Sequence, residues 1–327
     1  MIPRIDGSYL LIRELLPEVV ESMERAAGDG RLVVFLGSGA SMKAGYPDWL
    51  GLMKRFHAAL ENDTAVRGEF VEGMGSLMPD MGLDVLDVLM RTHLPQIKDI
   101  YRVIFPKQRS RYKPTEFSRR LAALNSAKFL TPNYDFCFQS SARSIGLLDL
   151  KEMSLGNLDA NDFQNGSVPT ICQIHGTAEQ GIETLVLTRT QYNRHYRDST
   201  MLPSFLNQIF LHNAVIFAGF GPKDEYINYL LNQTNAYAPN ANGLARVAIY
   251  GCRPGEDAKA EALAYVARQQ WNINVLHYEI QLDATEENHD RAIDLIDRLG
   301  VIVGVRTALP VSSDTGDALS LANLSTI

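Results

Sequence analysis

The stretch RLVVFLGSGASMKAGYPDW, residues 31–49, decides the fold. Leu32 to Leu36 form an unbroken apolar run, and Gly37-Ser38-Gly39-Ala40-Ser41 follows at once. A short apolar run bounded by glycine has the pattern of a strand buried on both faces, as in a parallel sheet. Glycine directly after such a strand lets the backbone turn tightly and approach a ligand closely. A helix starting here would offer unpaired N–H groups and the positive end of its dipole to an anion. The stretch therefore predicts a strand and a glycine turn, with a nucleotide pyrophosphate on residues 37–41. A bare tight turn would use Gly37 and Gly39 equally well. The dinucleotide fingerprint GxGxxG is not met, because Met42 stands where its third glycine belongs.

Outward from this stretch, strands and helices alternate. Leu10, Leu11, Ile12, Leu15, Leu16, Val19, Val20 and Met23 lie at helical spacing over 8–28 and end at Gly28-Asp29-Gly30. Residues 49–61 read as a helix, and 62–114 as a helical insertion interrupted by Pro79, Pro95 and Pro106. Further strands are predicted at 128–130, 171–174, 185–187, 214–218, 246–250 and 273–278. Helices are predicted at 117–125, 201–212, 224–233, 257–270 and 286–299. This alternation implies an α/β fold with a doubly wound, Rossmann-like parallel sheet. Residues 1–307 read as its single domain, and the Ser-, Thr- and Asp-rich tail 308–327 as loosely held. Turns follow the C-terminal ends of four strands, at 37–41, 131–135, 175–177 and 219–224. In an open parallel sheet such turns share one edge, where ligands bind.

Composition narrows the class. The chain has 327 residues, 46% apolar and 21% charged, which suits a protein with a substantial core. A net charge of −7 disfavours a broad surface for nucleic acid or an anionic membrane, so direct nucleic-acid binding is not expected. No apolar run approaches the roughly 20 residues of a membrane span. Asp6, Arg13 and Glu14 interrupt any signal-peptide core, and a cytoplasmic location is the simple expectation. Cys137, Cys172 and Cys252 are far apart and form no CxxC pair, so no metal site is expected.

Singly, each turn has an ordinary reading. Asn133 and Asp135 suit a turn or helix cap, Asp224 suits a cap, and His175 before Gly176 suits a buried structural histidine. Arg189, Arg194, His195 and Arg197 suit a solvated face as well as a phosphate or partner contact.

Taken together, the turns resemble the sirtuin family. GSGAS followed by Ala44-Gly45, Pro47 and Trp49 is similar to the sirtuin Gly-Ala-Gly-x-Ser loop with its Ala-Gly, proline and tryptophan. Thr131-Pro132-Asn133-Tyr134-Asp135 resembles Thr-Gln-Asn-x-Asp, with proline replacing glutamine. Ile174-His175-Gly176 resembles the catalytic His-Gly, and Gly219-Phe220-Gly221 with Asp224 the glycine turn of prokaryotic sirtuin-like domains. The resemblance covers about 31–280. Residues 177–218 contain no cysteine, so the four thiolates of the deacylase zinc module are absent.

The resemblance is thus to zinc-free bacterial sirtuin-like domains that hydrolyse NAD+ in antiphage defence. It implies cleavage of NAD+ to ADP-ribose and nicotinamide, with NAD+ as substrate. By resemblance, Asn133 holds water or ribose hydroxyls, His175 acts as general base, and Asp135 orients the loop and ribose. Gly37, Ser38, Gly39, Ala40 and Ser41 would bind pyrophosphate. Gly219, Phe220 and Asp224 would border the adenosine half, with Pro47 and Trp49 completing the NAD-binding set. The unperturbed histidine pKa near 6.5 suits a base at neutral pH. An NAD-dependent protein deacylase or ADP-ribosyltransferase, and a non-catalytic NAD- or ADP-ribose-binding module, are the alternatives. Control by homo-oligomerisation, or by a partner such as a defence-system ATPase or sensor, is expected.

Overall fold

The computed structural model describes residues 15–62, 69–220, 225–237, 244–282 and 287–306. The start of the first predicted helix, residues 221–224 with Asp224, and the tail 308–327 lie outside the described residues. Seven parallel strands form the central sheet: β1 (Leu32–Leu36), β2 (Lys128–Thr131), β3 (Lys151–Ser154), β4 (Thr170–Gln173), β5 (Ala214–Ala218), β6 (Arg246–Cys252) and β7 (Ile273–Glu279). Their order is β3-β4-β2-β1-β5-β6-β7. The chain builds β2, β3 and β4 on one side of β1, with β4 inserted between β2 and the edge strand β3, and then winds outward on the other side from β5. The switch point therefore lies between β1 and β5, where open α/β sheets hold their ligands. All five residues of β1 and of β5 are buried, as central strands covered on both faces require.

Helices cover both faces. They are α1 (Pro17–Gly28), α2 (Gly39–Met42), α3 (Trp49–Asn62), α4 (Glu69–Thr92), α5 (Leu94–Ile104), α6 (Glu116–Ala123) and α7 (Cys137–Ser144). There follow α8 (Ala160–Asn165), α9 (Arg189–Tyr196), α10 (Met201–His212), α11 (Glu225–Tyr237), α12 (Asp257–Trp271) and α13 (Arg291–Val303). Successive strand side chains point to opposite faces. Leu32, Val34 and Leu36 accordingly pack with α1, α6, α7 and α13. Val33 and Phe35 pack with α8 to α12. The doubly wound α/β fold expected from the sequence is the observed one. A short antiparallel pair, β8 (Gln281–Leu282) with β9 (Glu287–Asn288), precedes α13.

A third apolar cluster lies in the predicted insertion. Leu52, Met53, Phe56 and Leu60 of α3 meet Val85, Leu86 and Leu89 of α4 and Ile97 and Tyr101 of α5. The cluster continues through Phe105 and Tyr112 to Tyr134 and Phe136, in and just after the β2 turn. The insertion thus packs over the edge of the sheet that carries the turns. Pro79 does not end a helix there; α4 runs through to Thr92 with a non-helical backbone at Met81, two residues later.

One predicted strand is absent, one observed strand was not predicted, and the helix predicted at 286–299 begins only at Arg291, after β9. Residues 185–187 are not a strand. Leu185 and Leu187 are buried in the insertion cluster and Val186 on the α8–α12 face, but their backbone is satisfied irregularly. Val186 N–H donates to the His175 carbonyl at 3.0 Å, and Leu187 N–H to Gln191 Oε1 at 3.0 Å. Burial without a ladder mimics the apolar signature of a strand. Conversely, β3 (KEMS) went unseen because it is an edge strand whose one fully buried residue is Met153. Among the described residues no helix is long and apolar enough to cross a membrane.

Candidate functional site

Four turns meet at the C-terminal edge of β1, β2, β4 and β5, and hydrogen bonds join them in series. The first link is at the switch point. Gly37 N–H donates to the Ala218 carbonyl at 2.9 Å, and Gly39 N–H to the Gly219 carbonyl at 2.9 Å. The two turns touch backbone to backbone. A Cβ on Gly37 would overlap the Gly219 carbonyl, and one on Gly219 would lie 2.7 Å from the Ala40 nitrogen. Gly219 also has φ +65°, a conformation that disfavours side chains. Ala40 N–H bonds the Gly37 carbonyl and Ser41 N–H the Ser38 carbonyl. Four of the five N–H groups of 37–41 are therefore engaged by protein carbonyls. Among the described residues only the Ser38 N–H of this turn is left over for an anion, fewer than the sequence pattern suggested.

The second link joins β1 to β2. Asn133 Nδ2 donates to the Gly37 carbonyl at 2.9 Å, and Thr131 Oγ1 donates to the Leu36 carbonyl at 2.8 Å. Ser41 Oγ donates to Asp135 Oδ1 at 2.9 Å, and the same carboxylate oxygen caps Cys137 N–H at 2.9 Å. Asp135 is buried, and desolvation raises its pKa, against the lowering effect of these two donors. Its geometry is that of a tie between turns. Asn133 is half-buried, and with Nδ2 committed to Gly37 its Oδ1 accepts no hydrogen bond among the described residues.

The third link reaches β4. Ile174 N–H donates to the Thr131 carbonyl at 2.9 Å, and Ala178 N–H to the Tyr134 carbonyl at 2.8 Å. His175 stands between them and is 2% exposed. Its Nε2 lies 2.8 Å from the Tyr196 hydroxyl. Tyr192 and Tyr196, stacked on each other at 5.6 Å, both meet the imidazole edge-on. Burial, with His195 nearby, lowers the His175 pKa to about 3. The imidazole is therefore neutral at physiological pH, and it is a far weaker base here than a free histidine.

Tyr192 and Tyr196 sit on α9, a helix absent from those predicted above. Its start is a capping box, with Thr188 and Gln191 exchanging side-chain and backbone hydrogen bonds. That signature, Thr-x-x-Gln, was readable in the sequence. From α4, Asp87 Oδ2 accepts from Thr190 N–H at 3.0 Å and Thr190 Oγ1 at 2.7 Å, and Asp84 pairs with Arg189 at 3.4 Å.

Of the remaining candidates, Pro47 and Trp49 lie apart from the linked turns, whereas Phe220 continues the Gly219 turn. Pro47 is half-buried in the loop before α3, and Trp49 opens α3 and packs on the insertion cluster. Phe220 packs on Phe35 at 5.3 Å and Phe217 at 6.0 Å. It also borders an apolar cleft lined by Phe217, Ala248, Tyr250 and Trp271, on the β5–β6 side of the switch point. Asp224 lies outside the described residues. Among the described residues no group of three or more His, Cys, Asp or Glu side chains is arranged to hold a metal ion, and the three cysteines are free and buried.

Comparison with known proteins agrees with this geometry. Residues 127–276 match the family model of the SIR2-like domain, a span that includes Asn133, Asp135, His175 and Gly219 but not the 37–41 turn. The chain is 23% identical over 227 residues to Defense-associated sirtuin 2 of Bacillus subtilis. That alignment covers 68% of this chain and 21% of the relative, so the chain spans about a fifth of the relative's length. With the sheet order and the linked turns, these two matches make the chain similar to the SIR2-like domain and to a defence-associated sirtuin.

Proposed function

We propose that the chain hydrolyses NAD+ to ADP-ribose and nicotinamide, and that it acts in defence as its relative's name indicates for that protein. The observation that carries this reading is the continuous series of hydrogen bonds from Gly219 through Gly37 and Asn133 to the His175 turn. In this reading the series gathers, at one switch point, groups that would hold a dinucleotide and orient its ribose. Breaking the nicotinamide–ribose bond sends the electron pair to the pyridine nitrogen and leaves an oxocarbenium-like sugar. The departing pyridinium becomes neutral nicotinamide, so no acid is required. Water adds to the sugar carbon and releases one proton.

In this reading the half-buried Asn133 offers Oδ1 to the attacking water or a ribose hydroxyl. Neutral His175 accepts from a ribose hydroxyl once the Tyr196 hydroxyl gives way to it. Asp135 holds Ser41 and the turn. The Ser38 N–H and the glycine turns receive the pyrophosphate, and the cleft beside Phe220 is a surface suited to the adenine. Residues 1–307 then act as one NAD-binding unit in the cytoplasm, controlled by self-assembly or a regulatory partner protein. Purified protein incubated with NAD+ should release nicotinamide, and His175→Ala and Asn133→Ala should each reduce release at least 100-fold, of order 3 kcal/mol in the barrier. Absence of release from the wild-type chain in every oligomeric or partner-bound state would sink the proposal.

A further inference from the structure

We infer that Gln173, with its amide oriented by Gln139, is the positioning residue that holds Asn133 and Asp135 in register with His175. The inference rests on the reading above for its effect on turnover, but its structural half does not. Gln173 is the last residue of β4, two before His175, and is 1% exposed. Its Nε2 donates to the Asn133 carbonyl at 3.0 Å and to the Asp135 carbonyl at 3.0 Å. Its Oε1 accepts from Gln139 Nε2 on α7 at 2.9 Å, and Gln139 is also 1% exposed.

The residue types follow from donor counting. Past the end of β2 the chain leaves the ladder, so the carbonyls of Asn133 and Asp135 have no strand partner. A buried carbonyl left unsatisfied costs about 1–3 kcal/mol. A primary amide nitrogen carries two protons, one for each carbonyl. Glutamate at 173 would set acceptors against acceptors. Glutamine has the opposite hazard, because its amide can flip and present Oε1 to both carbonyls. Gln139 removes that freedom by donating to Oε1. The pair therefore selects one orientation of one amide, and that amide clamps the backbone on both sides of Tyr134. Since His175 follows Gln173 by only two residues, at the start of the turn that leaves β4, the clamp fixes the spacing between the Asn133 turn and the imidazole. A displacement of about 1 Å in such a spacing can lower turnover about 100-fold while leaving binding intact.

The test compares Gln173→Glu, Gln139→Glu and Gln139→Leu with wild type. Gln139→Glu puts an acceptor opposite Gln173 Oε1, which drives the amide to flip. Gln139→Leu removes one hydrogen bond without rewarding the flip. Both Glu variants should lower kcat for NAD+ about 100-fold with KM changed less than about threefold, whereas Gln139→Leu should lose less than about tenfold. Hydrogen exchange should quicken over 131–137 in both Glu variants and stay unchanged over 32–42. Gln139 makes no hydrogen bond to either carbonyl among the described residues, so a pure packing role predicts Leu and Glu to be alike there. If wild type hydrolyses NAD+ and Gln139→Glu matches Gln139→Leu, the inference is overturned while the proposed activity stands. If wild type does not hydrolyse NAD+, the activity falls and exchange alone decides: unchanged protection over 131–137 in Gln139→Glu overturns the clamp, and faster exchange supports it. Should Gln173→Glu fail to fold, the two Gln139 variants carry the same comparison.

Discussion

At the scale of single residues, Gly37 and His175 show how far tertiary contact redefines a sequence motif. Gly37 is needed because the Gly219 carbonyl occupies the space where its Cβ would be. Gly37→Ala must push β1 and β5 apart at the switch point and should cost about 1–3 kcal/mol, as overpacking does. Thermal unfolding of the variant checks this, and an unchanged midpoint would contradict the close approach. For His175 the measurable consequence is in pH. The unfolded imidazole titrates near 6.5, whereas the fold keeps it neutral down to about 3. Between those values the unfolded chain takes up a proton that the folded chain refuses. Stability therefore falls as pH drops from about 6.5 towards 3, by at most about 1.4 kcal/mol per pH unit from this residue. Asp135, raised by burial, has the opposite sign, its stabilisation being lost as pH rises through its folded value. His175→Gln removes the imidazole component alone. The wild-type and variant stability curves should converge as pH falls through that window, and parallel curves would count against the buried neutral histidine.

At the scale of elements, α9 is the piece whose role depends most on its neighbours. It supplies Tyr192 and Tyr196 to His175, and its first turn is satisfied twice, by its own Thr188 and by Asp87 from α4. A short helix without a strong apolar stripe depends on such caps. Asp87→Ala should cost about 1 kcal/mol, comparable to losing a helix cap. It should also accelerate hydrogen exchange over 189–196. Unchanged exchange there would show that Thr188 alone suffices. The element boundaries show what periodicity can and cannot report. Fully buried β1 and β5 were legible because both of their faces are apolar. Edge strand β3 and the coil at 185–187 were not, because edge position and irregular hydrogen bonding are decided by what lies alongside.

At the scale of the whole molecule, the helical insertion and the sheet share one boundary. Tyr134 and Phe136, in and just after the β2 turn, belong to the same apolar cluster as α3, α4 and α5. Whatever shifts the insertion is thereby felt in the turns. An unregulated NAD+ hydrolase would deplete the nucleotide of its own cell, and this motivates the proposed control by assembly or by a partner. Under that proposal, mass photometry across concentration, with nicotinamide release measured alongside, should show activity rising with an assembled species. A fully active monomer would reject it.

The sequence by itself determined the strand and glycine turn at 32–41, the doubly wound alternation, and the four turns at the C-terminal edge of the sheet. Each of these follows from local rules, since apolar runs, glycine and helical spacing act over a few residues. Only the tertiary structure decided how the turns are used. Gly39 and its neighbours have most of their N–H groups engaged by protein carbonyls, His175 is neutral and covered by Tyr196, and Asp135 is a tie. Gln139 and Gln173 entered only through their partners, which lie 34 to 40 residues away in sequence. Hydrogen-bond occupancy and desolvation are set by neighbours distant along the chain, and no local pattern carries them.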